Sequence, residues 1–251
     1  MGNKNRPTKK LTDEDIEGLD EYESLSQKSS KIDILNRLDK FFKPNQKQID
    51  FIKTIDKSII TICHGSAGTG KSITALYRGL HQSIKENMRL VLIRPIFESA
   101  SQGLGFLPGE LEDKIEPHFK AFQYTLDELI GRSNTNDLIE SGKIKFELLN
   151  YLRGATLNNS IIICDEAQNM TVDEMILATT RLGRSSKIIF TGDFYQSDLR
   201  KAKGSIMEFG DMIKSIEGVN KFTFTNKDVV RNPILVEVTK AWEEYKEKKN
   251  L

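Results

Sequence analysis

The sequence predicts an α/β fold: a mainly parallel sheet with helices on both faces. Three observations lead there. Short β-branched runs recur along the chain, amphipathic helical patterns fall between most of them, and glycine-rich or acidic motifs stand where the runs end. Strands that alternate with helices form βαβ units, which pair in parallel. Ligands of such sheets gather at the carboxyl ends of the strands.

Residues 1–40 are expected to be a polar N-terminal arm, disordered or a short helix, because Lys, Asp, Glu and Ser dominate its first thirty positions. Ile16, Leu19, Tyr22 and Leu25 are spaced roughly helically within it. Strands are predicted in "SIITICH" (58–64), "RLVLIRP" (89–95), "KIKFELL" (143–149), "SIIICDE" (160–166), "KIIFTGD" (187–193) and "KFTFTNK" (221–227). Helical periodicity marks 72–87, most of 106–131, 171–182, 205–217 and 232–248.

Composition bounds the function. Of 251 residues, 38% are hydrophobic, enough for a core, and 37 basic against 36 acidic side chains leave a net charge of +1. That balance argues against a protein that coats nucleic acid by bulk charge and leaves a local basic patch open; phosphate recognition has to come from a built site. Cys63 and Cys164 close apolar runs and lack metal-ligand spacing, so they read as small buried hydrophobes in a reducing compartment. No apolar run approaches the roughly 18 residues of a membrane span, and the expected location is cytoplasmic, with no membrane partner.

Such a site is present in "GSAGTGKS": Gly65, Ser66, Ala67, Gly68, Thr69, Gly70, Lys71 and Ser72 match G-x-x-x-x-G-K-[ST] between a strand and a helix. Glycines let the backbone wrap phosphate oxygens with its N–H groups inward. The helix entering at Lys71 adds its dipole. Lys71 would bridge the β- and γ-phosphates and Ser72 would ligate Mg²⁺. This is the motif of a P-loop NTPase, and ATP with Mg²⁺ are the expected ligands.

Asp165 and Glu166 end the run "IIICDE". A buried acid pair without a partner is costly; beside a cation it is not. Asp165 would hold the metal and Glu166 would orient and deprotonate the attacking water. A GTP switch is disfavoured, since "TNKDVV" places Asp228 one residue too early after Asn226 and Lys227 for a guanine reader. A deoxynucleoside kinase of the common zinc-lobed form is disfavoured by the cysteine count.

Taken with these motifs, "RPIFESASQGLGFLPGELEDKIEP", "NYLRGATLNNSIIICDEAQNMT", "TGDFYQSDL" and "DVVRNPILVEV" resemble the PhoH-like ATPases, themselves similar to the first RecA-like domain of superfamily 1 helicases. The likeness runs in order over about residues 44–245 and implies a RecA-like ATPase domain over 41–251. Phe194, Tyr195 and Met170 depart from the commonest family residues at positions without an obvious chemical role.

The resemblance implies further roles. Gln46, in "PNQKQ", would read the adenine edge. Gln196 resembles a sensor of the γ-phosphate or attacking water; the role of Asp193 is left open, with holding the turn as one reading. Arg94 either faces nucleic acid or caps a strand end in solvent. Arg153 and Thr156 match the family without a derivable role. Arg231 resembles an arginine finger, acting within its own subunit or in trans. Action in trans requires self-association, with a hexameric ring the form that the resemblance suggests. Some relatives carry a nuclease-like N-terminal domain; about 40 residues precede the ATPase segment, so ribonuclease activity is not expected. The leading expectation is Mg²⁺-dependent ATP hydrolysis coupled to single-stranded RNA or DNA binding or unwinding. The alternative is an ATP-gated assembly switch acting on a protein partner.

Overall fold

The β-branched runs pair as one six-stranded sheet in the computed structural model, which describes residues 30–95, 111–193 and 205–232 with scattered positions from 234 to 248. Helix α1 covers residues 30–41. It is followed by α2 (Gln46–Lys57), β1 (Ile60–His64), α3 (Lys71–Lys85), β2 (Arg89–Ile93), α4 (Leu111–Ile130) and α5 (Arg132–Glu140). Then come β3 (Ile144–Glu147), β4 (Ser160–Cys164), α6 (Val172–Thr179), β5 (Lys187–Gly192), α7 (Ser205–Ile213) and β6 (Val219–Thr223). The described positions from 234 to 248 are helical.

The strand order is β3-β2-β4-β5-β1-β6, and every pairing is parallel. β5 therefore lies between the strand that feeds the glycine loop and the strand that ends in the acids. This is the RecA-like arrangement that the sequence predicts. In register, Cys63 faces Thr191 across β1–β5 and Cys164 faces Phe190 across β4–β5.

Both sheet faces are covered. On one, α1 to α5 bury Leu38, Phe51, Leu80 and Leu126 against the strands; on the other, α6 and α7 bury Met175 and Phe209. Each fully buried side chain of this size contributes about 1.5–3 kcal/mol. Gly79 lets α3 approach closely, because a Cβ there would stand 3.0 Å from Ile163 and 3.1 Å from Leu90.

Three local departures from expectation have physical reasons. Helix α1, assigned from sequence to the polar arm, sends Ile34 and Leu38 into the core. α5 is polar ("RSNTNDLIE") and buries only Thr135, so it carries no apolar stripe to detect. β6 starts two residues and ends four residues earlier than predicted, because Thr225 and Asp228 form a capping box that turns the chain.

Candidate nucleotide-binding and hydrolysis site

The phosphate loop leaves β1 at His64 and enters α3 at Lys71. Gly70 is the N-cap, at φ +86°, and a Cβ there would come within 2.4 Å of the Gln48 amide nitrogen. At Gly65 a Cβ would strike the Phe224 carbonyl oxygen at 2.4 Å. Both positions are thus closed to side chains by neighbouring segments. The Lys71 ammonium is buried within the loop, donating to the carbonyls of Gly65 (2.6 Å) and Ser66 (2.8 Å). Burial pushes its pKa below the ordinary lysine range, while Asp193, Cys63, Asp165 and Glu166 pull it back up.

Asp165 follows β4 and is buried. Its Oδ1 accepts from Ser72 Oγ at 2.7 Å and from Thr191 Oγ1 at 2.6 Å, so α3, β4 and β5 meet at one oxygen. Burial and then Glu166 push this carboxyl upward, against the Thr191 and Ser72 hydrogen bonds and Arg94. A buried acid whose ionised form is disfavoured, joined to a hydroxyl, is a place where a hard cation relieves a cost. Mg²⁺ typically takes one or two protein oxygens and completes its shell with phosphate and water. Among the described residues no cluster of three or more acidic, His or Cys groups could hold a metal alone. Ser72 and Asp165 therefore fit a cation that arrives with a phosphate ligand.

Glu166 has a left-handed backbone (φ 57°, ψ 35°), uncommon for a residue with a Cβ. Arg94 Nη2 lies 3.1 Å from its Oε1, and Gln168 Nε2 donates to its Oε2 at 2.6 Å. Gln168 is buried, and its Oε1 accepts from the Asp193 backbone N–H at 3.0 Å. The motif reading assigns Gln168 no role. Its place as the fourth residue of "DEAQ", three after the metal-holding candidate, is the available signal.

A cleft of about 530 Å³ brings the expected residues together. Ala67, Gly68, Gly70 and Lys71 of the phosphate loop line it with Ser72, Asp165, Glu166, Asp193, Arg231, Phe42, Gln48, Ile73, Thr125 and Glu128, whereas Gly65 and Ser66 border a separate pocket with Phe224 and Asn226. Arg231 stands at the cleft of its own chain because the preceding segment is tied to the loop. Ser66 Oγ donates to Asn226 Oδ1, and Val230 N–H donates to Gly68 O at 2.9 Å. Arg153 and Thr156 are exposed in the approach to β4, and the structure gives them no contact with the cleft. Gln196, with Phe194 and Tyr195, lies outside the described residues.

Gln46 stands outside the cleft. It is exposed on the first turn of α2, its amide donates to Asp50 at 3.1 Å, and it does not line the cleft. Asn45 is the N-cap, so the third helical residue, Gln48, turns inward with Phe51 and Ile55. Gln48 Oε1 accepts from Asn45 N–H at 3.0 Å and its Nε2 donates to Thr69 O at 3.3 Å. The inward spacing 48, 51, 55 is readable in the sequence, and it points to the second glutamine of "QKQ" instead of the first.

Comparison with known proteins identifies the family. The PhoH-like protein family matches residues 42–243. A PhoH-like protein of Synechocystis is 40% identical over 199 residues, 78% of this chain and 60% of that protein. One of Bacillus subtilis is 35% identical over 78% of this chain and 62% of its own length. Protein PhoH of Escherichia coli is 30% identical over 76% and 54%. The chain thus spans between 54% and 62% of the length of these three relatives. Among solved structures, the large terminase of a thermophilic bacteriophage overlaps 81% of this chain and 50% of its own at 14% identity, with a TM-score of 0.48. No helix among the described residues is long and apolar enough to cross a membrane. With four-fifths of its residues inside the family match, the chain belongs to the PhoH-like protein family.

Proposed function

We propose that the protein binds and hydrolyses ATP with Mg²⁺. The observation that carries this reading is the joint at Asp165 Oδ1, where the first hydroxyl of the phosphate-loop helix and the acid of β4 share a bond in the floor of the cleft. Backbone N–H groups of the loop and the α3 dipole receive the phosphates. Lys71 adds a fixed charge there, and Ser72 with Asp165 would hold the cation. Mg²⁺ would supply charge neutralisation for the phosphates when bound. Glu166 accepts the proton of the attacking water and Arg231, from the same chain, neutralises charge on the transferred phosphoryl group.

The base end is assigned to Gln48 in place of Gln46. With one amide hydrogen and one carbonyl lone pair engaged, Gln48 keeps one of each. An adenine presents a matching acceptor and donor on its N7/N6 edge.

Coupling to single-stranded RNA or DNA is proposed from the helicase-like order of the motifs, and ring assembly from the family resemblance. The near-neutral charge supports neither. One assay tests the scheme: ATP turnover by wild type, Lys71→Ala and Glu166→Gln, with and without single-stranded RNA or DNA over a salt series. Glu166→Gln should bind ATP yet lose about 10²–10⁴-fold in turnover. Stimulation that fades with salt supports the polymer-coupled reading; indifference to polymer at every salt concentration favours the ATP-gated switch. Normal turnover by Glu166→Gln removes the general base from this scheme.

A further inference from the structure

Glu166 is long, has several rotatable bonds, and projects from the end of a strand with 37% of its side chain exposed. A side chain of this kind loses about 1.5–2 kcal/mol of rotamer freedom when fixed. A carboxylate that must meet a water within a fraction of an ångström needs that freedom removed before the reaction. The protein removes it through a neighbouring strand. β2 and β4 pair in parallel with Ile93 opposite Cys164, and the Asp165 N–H donates to Ile93 O at 3.0 Å. The next residue after β2 is Arg94, which this register sets level with Asp165, and its guanidinium reaches on to Glu166 Oε1.

The resulting ion pair, at 3.1 Å between side chains 22% and 37% exposed, is worth little to folding. Its effect is geometric. Arg94 takes Oε1 and Gln168 takes Oε2. A carboxylate offers about four lone-pair directions, so two directions are set by the protein and two are left to accept from water. The contact is made by one guanidinium nitrogen, Nη2, so a cationic donor reaching from this position is what the geometry requires.

We propose that Arg94 is a positioning residue for Glu166: it touches neither nucleotide nor water, and fixes the carboxylate in the orientation that receives the water proton. This assigns Arg94 a task different from either expected for it, contact with nucleic acid or solvent exposure at a strand end. The inference rests on the reading of Glu166 as the base.

The test uses the full chain with Mg²⁺, measuring kcat and KM for ATP, affinity for a fluorescent ATP analogue and thermal stability. Arg94→Ala should lower kcat by about 10–100-fold, with KM and analogue affinity within about twofold of wild type. Arg94→Lys, which restores the charge without the guanidinium, should recover part of the lost kcat at the same KM. A kcat for Arg94→Ala that is unchanged or raised overturns the proposal. So does a loss of kcat matched by loss of affinity, or an Arg94→Lys variant no better than alanine. Glu166→Gln is measured alongside. If it turns over normally, the base reading has failed; if it is inactive while Arg94→Ala is normal, the positioning inference alone has failed.

Discussion

Ser72 Oγ and Thr191 Oγ1 donate to the same oxygen of Asp165, at 2.7 and 2.6 Å, although they belong to a helix and a strand on opposite sides of it in sequence. This oxygen is the junction of the phosphate-loop helix with two strand ends, and it is buried. Burial raises the Asp165 pKa, and a raised acid pKa favours the fold at low pH and withdraws that contribution as pH rises through the folded value. Asp165→Asn should therefore raise Tm without nucleotide or Mg²⁺ by about 2–4 °C. The gain should be largest at alkaline pH and shrink on acidification. It should also abolish any Mg²⁺-dependent thermal shift of the nucleotide-bound protein. A scanning fluorimetry grid of pH against Mg²⁺ reads all three.

The two glutamines of α2 separate cleanly. Gln48→Ala removes half of the capping box and the bond to Thr69, so it should cost about 1 kcal/mol of stability and raise KM for ATP about tenfold. Gln46→Ala removes only an exposed contact to Asp50 and should change neither. Equal effects from the two variants would return the base-reading role to Gln46.

Because Arg231 lines the cleft of its own chain, Arg231→Ala should lower turnover by about 10³-fold or more while ATP still binds. Mixing Arg231→Ala with Lys71→Ala protein should restore nothing at any ratio. Recovery in the mixture would show the guanidinium serving a neighbour, and would place a second copy at the cleft.

A pH effect follows from His64, the last residue of β1. Burial, then Lys221 and Lys71, push its imidazole below the ordinary value of 6.5, while Asp211 opposes them. Its ring also meets Thr223 Oγ1 at 3.0 Å. A depressed folded pKa gives stability that is present above 6.5 and lost as pH falls through the folded value. Urea midpoints should therefore drop between about pH 7 and pH 5, and His64→Gln should flatten that slope.

Much of this site is legible in the sequence because its chemistry is written in short contiguous words. The eight residues from Gly65 to Ser72 and the pair Asp165-Glu166 each sit on one turn, so spacing alone locates them. What the sequence does not show depends on contacts across strands. Arg94 meets Glu166 through the register of β2 on β4, and Gln168 reaches Asp193 across 25 residues. Arg231 comes to the cleft through ties from Asn226 and Val230 to the loop. Helix α1 is left open between disorder and a short helix because its inward residues, Ile34, Leu35 and Leu38, span a single turn in a stretch that is mostly exposed.

The register around β5 gives the molecule a built-in chemical reporter. Cys63 and Cys164 are fully buried beneath the phosphate loop and the acidic pair, and burial pushes both thiols far up. One strand stands between them, so their backbones are about 10 Å apart, too far for a disulfide. Neither can be consumed by the other, and neither reacts while the hydrophobic layers that hold them, one on each sheet face, stay closed. The rate at which a thiol reagent labels the wild-type chain therefore counts openings of those layers, with no engineered probe. ATP or Mg²⁺ that braces the cleft should lengthen the lag before labelling.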